Sequence, residues 1–328
     1  MTAPPEPVLV TGASGFIGRA VTARLAADGW RVRAAVRSRD RFGLVPSGVT
    51  GCVVGDIHEA TRWEEALAGV ETVIHLAASV HRGRERDGHQ NDAFRVNARG
   101  TAHLARACLR QGTRRLIFLS SASVLGPLGK GAPPAREDTP CRPMTAYAQS
   151  KLEAEASLRA AAREGLASVA LRPPMVYGFE APGNFARLAR WIGKGLPLPI
   201  GMVKSERSFL YVGNLVDAIT RLVSSPLDGF RVFHIADRER LSSAEFARRL
   251  GSALGRHARL LPVPPRLLQF AGRLTGRTED VERLTGSSTI DGESFRTTFA
   301  WNPPFTSEEA FGLIREARIA RSVSKEES

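Results

Sequence analysis

Val8-Leu9-Val10-Thr11-Gly12-Ala13-Ser14-Gly15-Phe16-Ile17-Gly18 is the stretch on which the fold turns. Its opening residues read as a buried strand, because a short apolar run closed by glycine has no polar face to give to water. From Phe16 the apolar positions take helical spacing (Phe16, Ile17, Ala20, Val21, Leu25) and stop at Asp28-Gly29, a helix-end signal. The same order recurs downstream. Strands are expected at 31–36, 52–54, 72–77, 115–120, 167–171 and 231–235, and helices at 59–68, 91–111, 145–164, 213–224 and 242–254. Strands alternating with helices make βαβ units, so the fold class is α/β: a doubly wound parallel sheet, with a smaller C-terminal lobe after Arg172 where prolines break the rhythm.

The chain has 328 residues, 43% hydrophobic and 24% charged, which excludes wholesale disorder. No run approaches 18 apolar residues, so no membrane insertion is expected, and the first residues lack the pattern of a secretory leader. Cys52, Cys108 and Cys141 are too few and too widely spaced for a disulfide framework or a zinc site. Their usage fits a reducing cytoplasm, and no metal is expected. The net charge of +13 comes from arginines scattered along the chain. With no basic run and no interleaved aromatics, nucleic acid is not an expected partner. The amphipathic basic stretch 266–277 is expected to be lobe core, with contact to a membrane surface as the alternative.

The glycines have a physical reading. Gly12 permits a tight turn, Gly15 lets the backbone approach a pyrophosphate at the positive end of the helix, and Gly18 allows close helix–strand packing. A dinucleotide is the implied ligand. The end of the second strand, where a carboxylate would hold a ribose 2′-OH, instead reads Val36-Arg37-Ser38-Arg39. A guanidinium there suits a 2′-phosphate, so NADP(H) is preferred and NAD(H) is the alternative.

Tyr147-Ala-Gln-Ser-Lys151 sets a phenol and an ammonium one helical turn apart. The chain has three tyrosines and five lysines, so chance predicts such a pair only about 0.05 times. An adjacent ammonium stabilises a phenolate and lets tyrosine exchange a proton with an alcohol or carbonyl near neutral pH. Ser120-Ser121-Ala122-Ser123, directly after a buried strand, offers hydroxyls to hold the reacting oxygen.

Taken together, these residues resemble the extended short-chain dehydrogenases/reductases (SDR) of the nucleotide-sugar epimerase/dehydratase type, from Val8 to about Phe305. Further markers are Gly55-Asp56-Ile57, His75-Leu76-Ala77-Ala78, Val96-Asn97-Ala-Arg-Gly-Thr101 and Leu171-Arg-Pro-Pro-Met-Val-Tyr-Gly178. The resemblance implies a Rossmann domain over 1–175 with a returning piece at about 208–238. It implies a substrate-binding lobe over 176–207 and 239–318; the residues themselves lead to the expectation of a frayed tail at 319–328. It also implies that Gly12, Gly15, Phe16, Ile17, Gly18, Arg37, Asp56, Ile57, Leu76, Ala77, Ala78, Asn97 and Pro174 serve the cofactor, along with Tyr147 and Lys151. Ser121, Tyr147 and Lys151 become the catalytic group, and Ser123, Asn184, Phe185, Arg207 and Arg283 the contacts of a nucleotide sugar, with a UDP-sugar expected. Helices 91–111 and 145–164 would form a homodimer seam.

The reaction expected first is NADPH-dependent reduction of a 4-keto (6-deoxy) sugar nucleotide, on the strength of Arg37. A UDP-sugar (UDP-glucose-like) 4-epimerase with tightly held NAD is the alternative. A non-catalytic dinucleotide sensor is the alternative of another class.

Overall fold

The computed structural model describes residues 7–80, 92–129, 131–276, 281 and 285–326. Seven strands form one parallel sheet: β1 (Val8–Thr11), β2 (Val32–Val36), β3 (Thr50–Val53), β4 (Thr72–His75), β5 (Arg115–Leu119), β6 (Ala167–Arg172) and β10 (Phe230–His234). Their spatial order is β10-β6-β5-β4-β1-β2-β3, so the chain winds outward from β1 in both directions. Four shorter strands, β7 (Met175–Tyr177), β8 (Glu206–Arg207), β9 (Phe209–Tyr211) and β11 (Leu241–Ser242), pair as β7–β9 and β8–β11 in the smaller lobe.

Successive strand residues face opposite layers. Val8 and Val10 enter one core with helices α1 (Phe16–Ala27) and, later in the chain, 212–223, whereas Leu9 enters the other. That second core is roofed by α2 (Glu64–Leu67), α3 (Thr101–Gln111) and α4 (Ala146–Arg163). A third core, in the smaller lobe, gathers α5 (Asn184–Gly193) and α7 (Ser243–Ala253) around Phe246, whose ring stacks on Phe209 at 4.2 Å, while α6 (Val212–Val223) returns to the sheet.

Several expectations need correction. The helix expected over 59–68 shortens to α2, because Thr61 Oγ1 accepts from His58 N at 2.8 Å and donates to the Asp56 carbonyl at 3.0 Å, satisfying that backbone locally. In the helix expected over 91–111, Phe94–Gly100 is π-helical before α3 begins; residue 91 lies outside the described residues. Helix α9 (Glu293–Phe299) and Trp301, expected in the smaller lobe, pack on the sheet with Phe233. The tail does not fray at 319: α10 (Ser307–Glu326) runs on, its start tied down by Glu309 accepting from Thr306 N, and Arg321 pairs with Glu180.

The stretch 266–277 is not lobe core. In α8 (Pro265–Leu274) only Leu268 packs inward and Gly272 is buried, while Leu267, Phe270 and Leu274 are 58%, 61% and 73% exposed. Residue 277 lies outside the described residues. No helix is long and apolar enough to cross a membrane among the described residues.

Candidate active site

Strand register sets Thr11 opposite His75, and His75 opposite Phe118, in one row at the carboxyl edge of the sheet. Gly12 leaves that row at φ +68°, and a Cβ on it would lie 2.8 Å from Ala77 N. A Cβ at Gly18 would lie 2.1 Å from the Gly12 carbonyl oxygen, so α1 sits against the loop only because no side chain intervenes. Gly15 caps α1 without a side chain, and the first turn carries no acid. The opening amides of α1 therefore face a bare backbone cradle, which fits a pyrophosphate. Phe16 and Ile17, both half-buried, anchor this first turn to the third and first cores.

Beyond β4, Leu76, Ala77 and Ala78 form the next wall, with Ala77 N donating to Thr11 Oγ1 at 3.3 Å. Asn97 is fully buried. Its amide donates to the Ser79 carbonyl and to Ser150 Oγ, each at 3.0 Å, and its oxygen accepts from Ser79 N at 2.8 Å. It thus fastens the wall to α4, the helix carrying Tyr147. Ile57 is buried against Gly100, whereas Asp56 is exposed beside it. Arg37 Nε lies 2.7 Å from Asp56 Oδ1, so the residue expected at a 2′-phosphate and the residue expected at the adenine meet in one exposed ion pair.

Tyr147 and Lys151 project from the first two turns of α4. Lys151 Nζ donates to the Leu119 carbonyl at 2.8 Å, at the end of β5, and lies 4.5 Å from the Phe118 ring centre and 5.9 Å from that of Tyr147. Burial pushes the Lys151 pKa down to about 7 against the pull of Glu155, and pushes Tyr147 up to about 12 against a hydrogen bond with Ser121. Ser121 caps the short turn Ala122–Leu125, accepting from Ser123 N at 3.1 Å. Ser123 is itself exposed, and Ala122 N ties this turn to the Pro173 carbonyl at 2.8 Å, next to half-buried Pro174. The structure therefore brings Ser121, Tyr147 and Lys151 together at the carboxyl end of β5, two strands along the sheet from the glycine cradle that follows β1. A phenol flanked by a hydroxyl and an ammonium is arranged to move a proton to or from an oxygen on a ligand.

The sequence reading did not single out Glu155 among the groups that hold this arrangement. Glu155 takes Ser120 Oγ at 2.5 Å and two bonds from Arg172, at 2.9 and 2.6 Å, in a pair whose side chains are 4% and 5% exposed. The signal was present: Tyr147, Lys151 and Glu155 recur at four-residue steps on one helix face. His75 is bonded through both ring nitrogens, to Thr11 Oγ1 at 2.6 Å and Thr101 Oγ1 at 3.0 Å, and burial beside Lys151 pushes its pKa down to about 3.

The expected substrate contacts divide. Asn184 is exposed on the first turn of α5. Phe185 turns its ring into the third core against Phe246, leaving its backbone as what it can offer a ligand. Arg207, in β8, is half-buried and donates to the Gly286 carbonyl at 3.3 Å. Arg283 lies outside the described residues.

Comparison with known proteins agrees with this geometry. Residues 8–236 match the model of the NAD dependent epimerase/dehydratase family. A UDP-glucose 4-epimerase of Vibrio cholerae is 34% identical over 95% of both chains. An N-acetyl-alpha-D-glucosaminyl-diphospho-ditrans,octacis-undecaprenol 4-epimerase of Escherichia coli O157:H7 is 28% identical over 85% of this chain and 81% of its own. The solved structure of MoeE5 in complex with UDP-glucuronic acid and NAD superposes with a TM-score of 0.77 at 26% identity, over 96% of this chain and 99% of that one. The cradle, the Tyr147–Lys151 pair and these likenesses converge: the chain belongs to the NAD-dependent epimerase/dehydratase family, as an NAD(P)-dependent enzyme of the extended SDR type.

Proposed function

We propose that the enzyme inverts the C4 hydroxyl of a UDP-linked hexose while keeping its NAD bound. The observation that carries this reading is the Ser121–Tyr147–Lys151 group at the carboxyl end of β5, on the same edge of the sheet as the glycine cradle after β1. The likeness to the Vibrio cholerae epimerase along almost the whole chain supports it, and moves the preference away from the reductase that Arg37 suggested.

The dinucleotide would lie on Gly12, Gly15 and Gly18, along Leu76–Ala78 and against Ile57, with Phe16, Ile17, Asn97 and Pro174 shaping its walls. When bound, its nicotinamide supplies the acceptor and donor of a hydride. The remaining work belongs to the chain. Tyr147 Oη takes the proton of the C4 hydroxyl and returns it after the sugar has presented its other face. Ser121 Oγ hydrogen-bonds the same oxygen and holds it within reach. Lys151, fixed on the Leu119 carbonyl, supplies the positive charge beside the phenolate; burial disfavours either charge alone, and as a pair each relieves the other. Ser123, Asn184 and the Phe185 backbone would hold the sugar nucleotide, with the Arg207 guanidinium toward its diphosphate. The α3–α4 flank is the proposed homodimer seam.

One observation favours the second reading, reduction of a 4-keto sugar nucleotide by NADPH: β2 ends at Val36 and is followed by Arg37, with no carboxylate at the strand end. Denaturing the purified enzyme and identifying the released dinucleotide separates the two. Stoichiometric NAD together with UDP-glucose/UDP-galactose interconversion supports the epimerase. An empty protein that binds NADPH at least about tenfold more tightly than NADH, a difference of about 1.4 kcal/mol, supports the reductase. Tyr147→Phe is expected to lower kcat about 10²- to 10⁴-fold and leave dinucleotide affinity intact.

A further inference from the structure

We propose that the smaller lobe docks on an anionic lipid bilayer through the outer face of α8. At 100° per residue, Leu267, Phe270, Ala271 and Leu274 fall in one stripe about 100° wide. All four are exposed. Leu268 and Gly272, which hold the helix to the lobe, lie beyond one edge of that stripe, and Arg266 and Arg273 line the other. The chain entering α8 carries further exposed apolar side chains. Leu261 is 45% exposed, and its carbonyl accepts from Gly201 N at 2.9 Å, next to Met202, also 45% exposed. A monomer surface normally scatters its exposed apolar side chains; this lobe concentrates them.

Charge identifies the occupant. The segments 181–205 and 254–276 are laced together by the Leu198–Arg259 and Gly201–Leu261 backbone bonds. Each carries four Arg or Lys and no Asp or Glu, so together they contribute eight positive charges to a chain whose net is +13. A second copy docked on the same stripe would bring its own Arg266 and Arg273 against these two and supply no carboxylate from that helix to meet them. Anionic headgroups over an acyl layer match both halves of the face: phosphates meet Arg266 and Arg273, while Leu267, Phe270 and Leu274 enter the headgroup boundary. The inference concerns where the protein sits and stands apart from which sugar it processes.

The test is flotation of the full chain with vesicles of phosphatidylcholine alone and of phosphatidylcholine containing about 30% phosphatidylglycerol, at about 0.1 M salt. The protein is expected to float with the anionic vesicles and to bind the neutral ones at least about tenfold less. Phe270→Ser combined with Leu274→Ser is expected to remove about nine-tenths of the bound protein with the melting temperature and turnover unchanged. Arg266→Gln combined with Arg273→Gln should weaken binding and flatten its salt dependence. Failure of the parent protein to float with anionic vesicles overturns the proposal. So does equal flotation of the Phe270/Leu274 variant, or a drop in oligomeric state of that variant in sedimentation, which would assign the face to a partner copy.

Discussion

His75 shows how single residues decide conditions of stability here. In the native protein its ring stays neutral down to a pKa of about 3, whereas an unfolded histidine takes up a proton near 6.5. The unfolded chain thus binds more protons between those values, and stability falls as pH drops through 6.5, by up to about 1.4 kcal/mol per pH unit. His75→Asn should flatten that acid limb, as read from urea unfolding at pH 5 and pH 7. Glu155 poses the complementary case. Glu155→Gln leaves Arg172 buried without its counter-charge, and a loss of about 3–5 kcal/mol is expected in the same unfolding assay. Of these residues the sequence showed only what chemistry makes conspicuous. Tyr147 and Lys151 stood out because phenol and ammonium are scarce in this chain, whereas Ser121 was chosen among its neighbouring serines by the family resemblance. Phe185 was named as a substrate contact by resemblance, and nothing in one dimension tells that its ring turns into the lobe core and leaves the backbone to face a ligand.

At the scale of elements, the glycine loop is set by contact distance. Gly18→Ala would thrust a methyl group to 2.1 Å from the Gly12 carbonyl, so α1 must back away from β1. Dinucleotide affinity should fall at least about tenfold and the melting temperature with it, measured by titration and thermal unfolding. The central strands β1, β4, β5 and β6 were legible because each is built on a short apolar run, which a core on both faces demands. The smaller lobe was only partly so: α7 was expected over 242–254, but α5 (Asn184–Gly193) opens just after Pro182-Gly183 where the rhythm is broken, and the lobe's strands are two or three residues long. The expected core role of 266–277 failed for a related reason: a helix's apolar stripe has the same spacing whether it faces protein or water.

For the whole molecule, the arrangement of helices predicts how copies meet. α3 and α4 lie side by side over the same core, on the sheet face opposite α1 and α6. Light scattering behind a sizing column should report a homodimer, and a monomer would remove the proposed seam. The order of the sheet also has a consequence for the protein's synthesis. β6 acquires its outer neighbour only when β10 arrives, and the chain between them builds much of the smaller lobe. At about 5–20 residues per second, the growing polypeptide spends several seconds on the ribosome with the β6 edge open to any passing strand. Newborn chains are therefore most vulnerable to mispairing in that interval, and a ribosome stalled between the codons for Arg172 and Phe230 would hold the protein at its most aggregation-prone length.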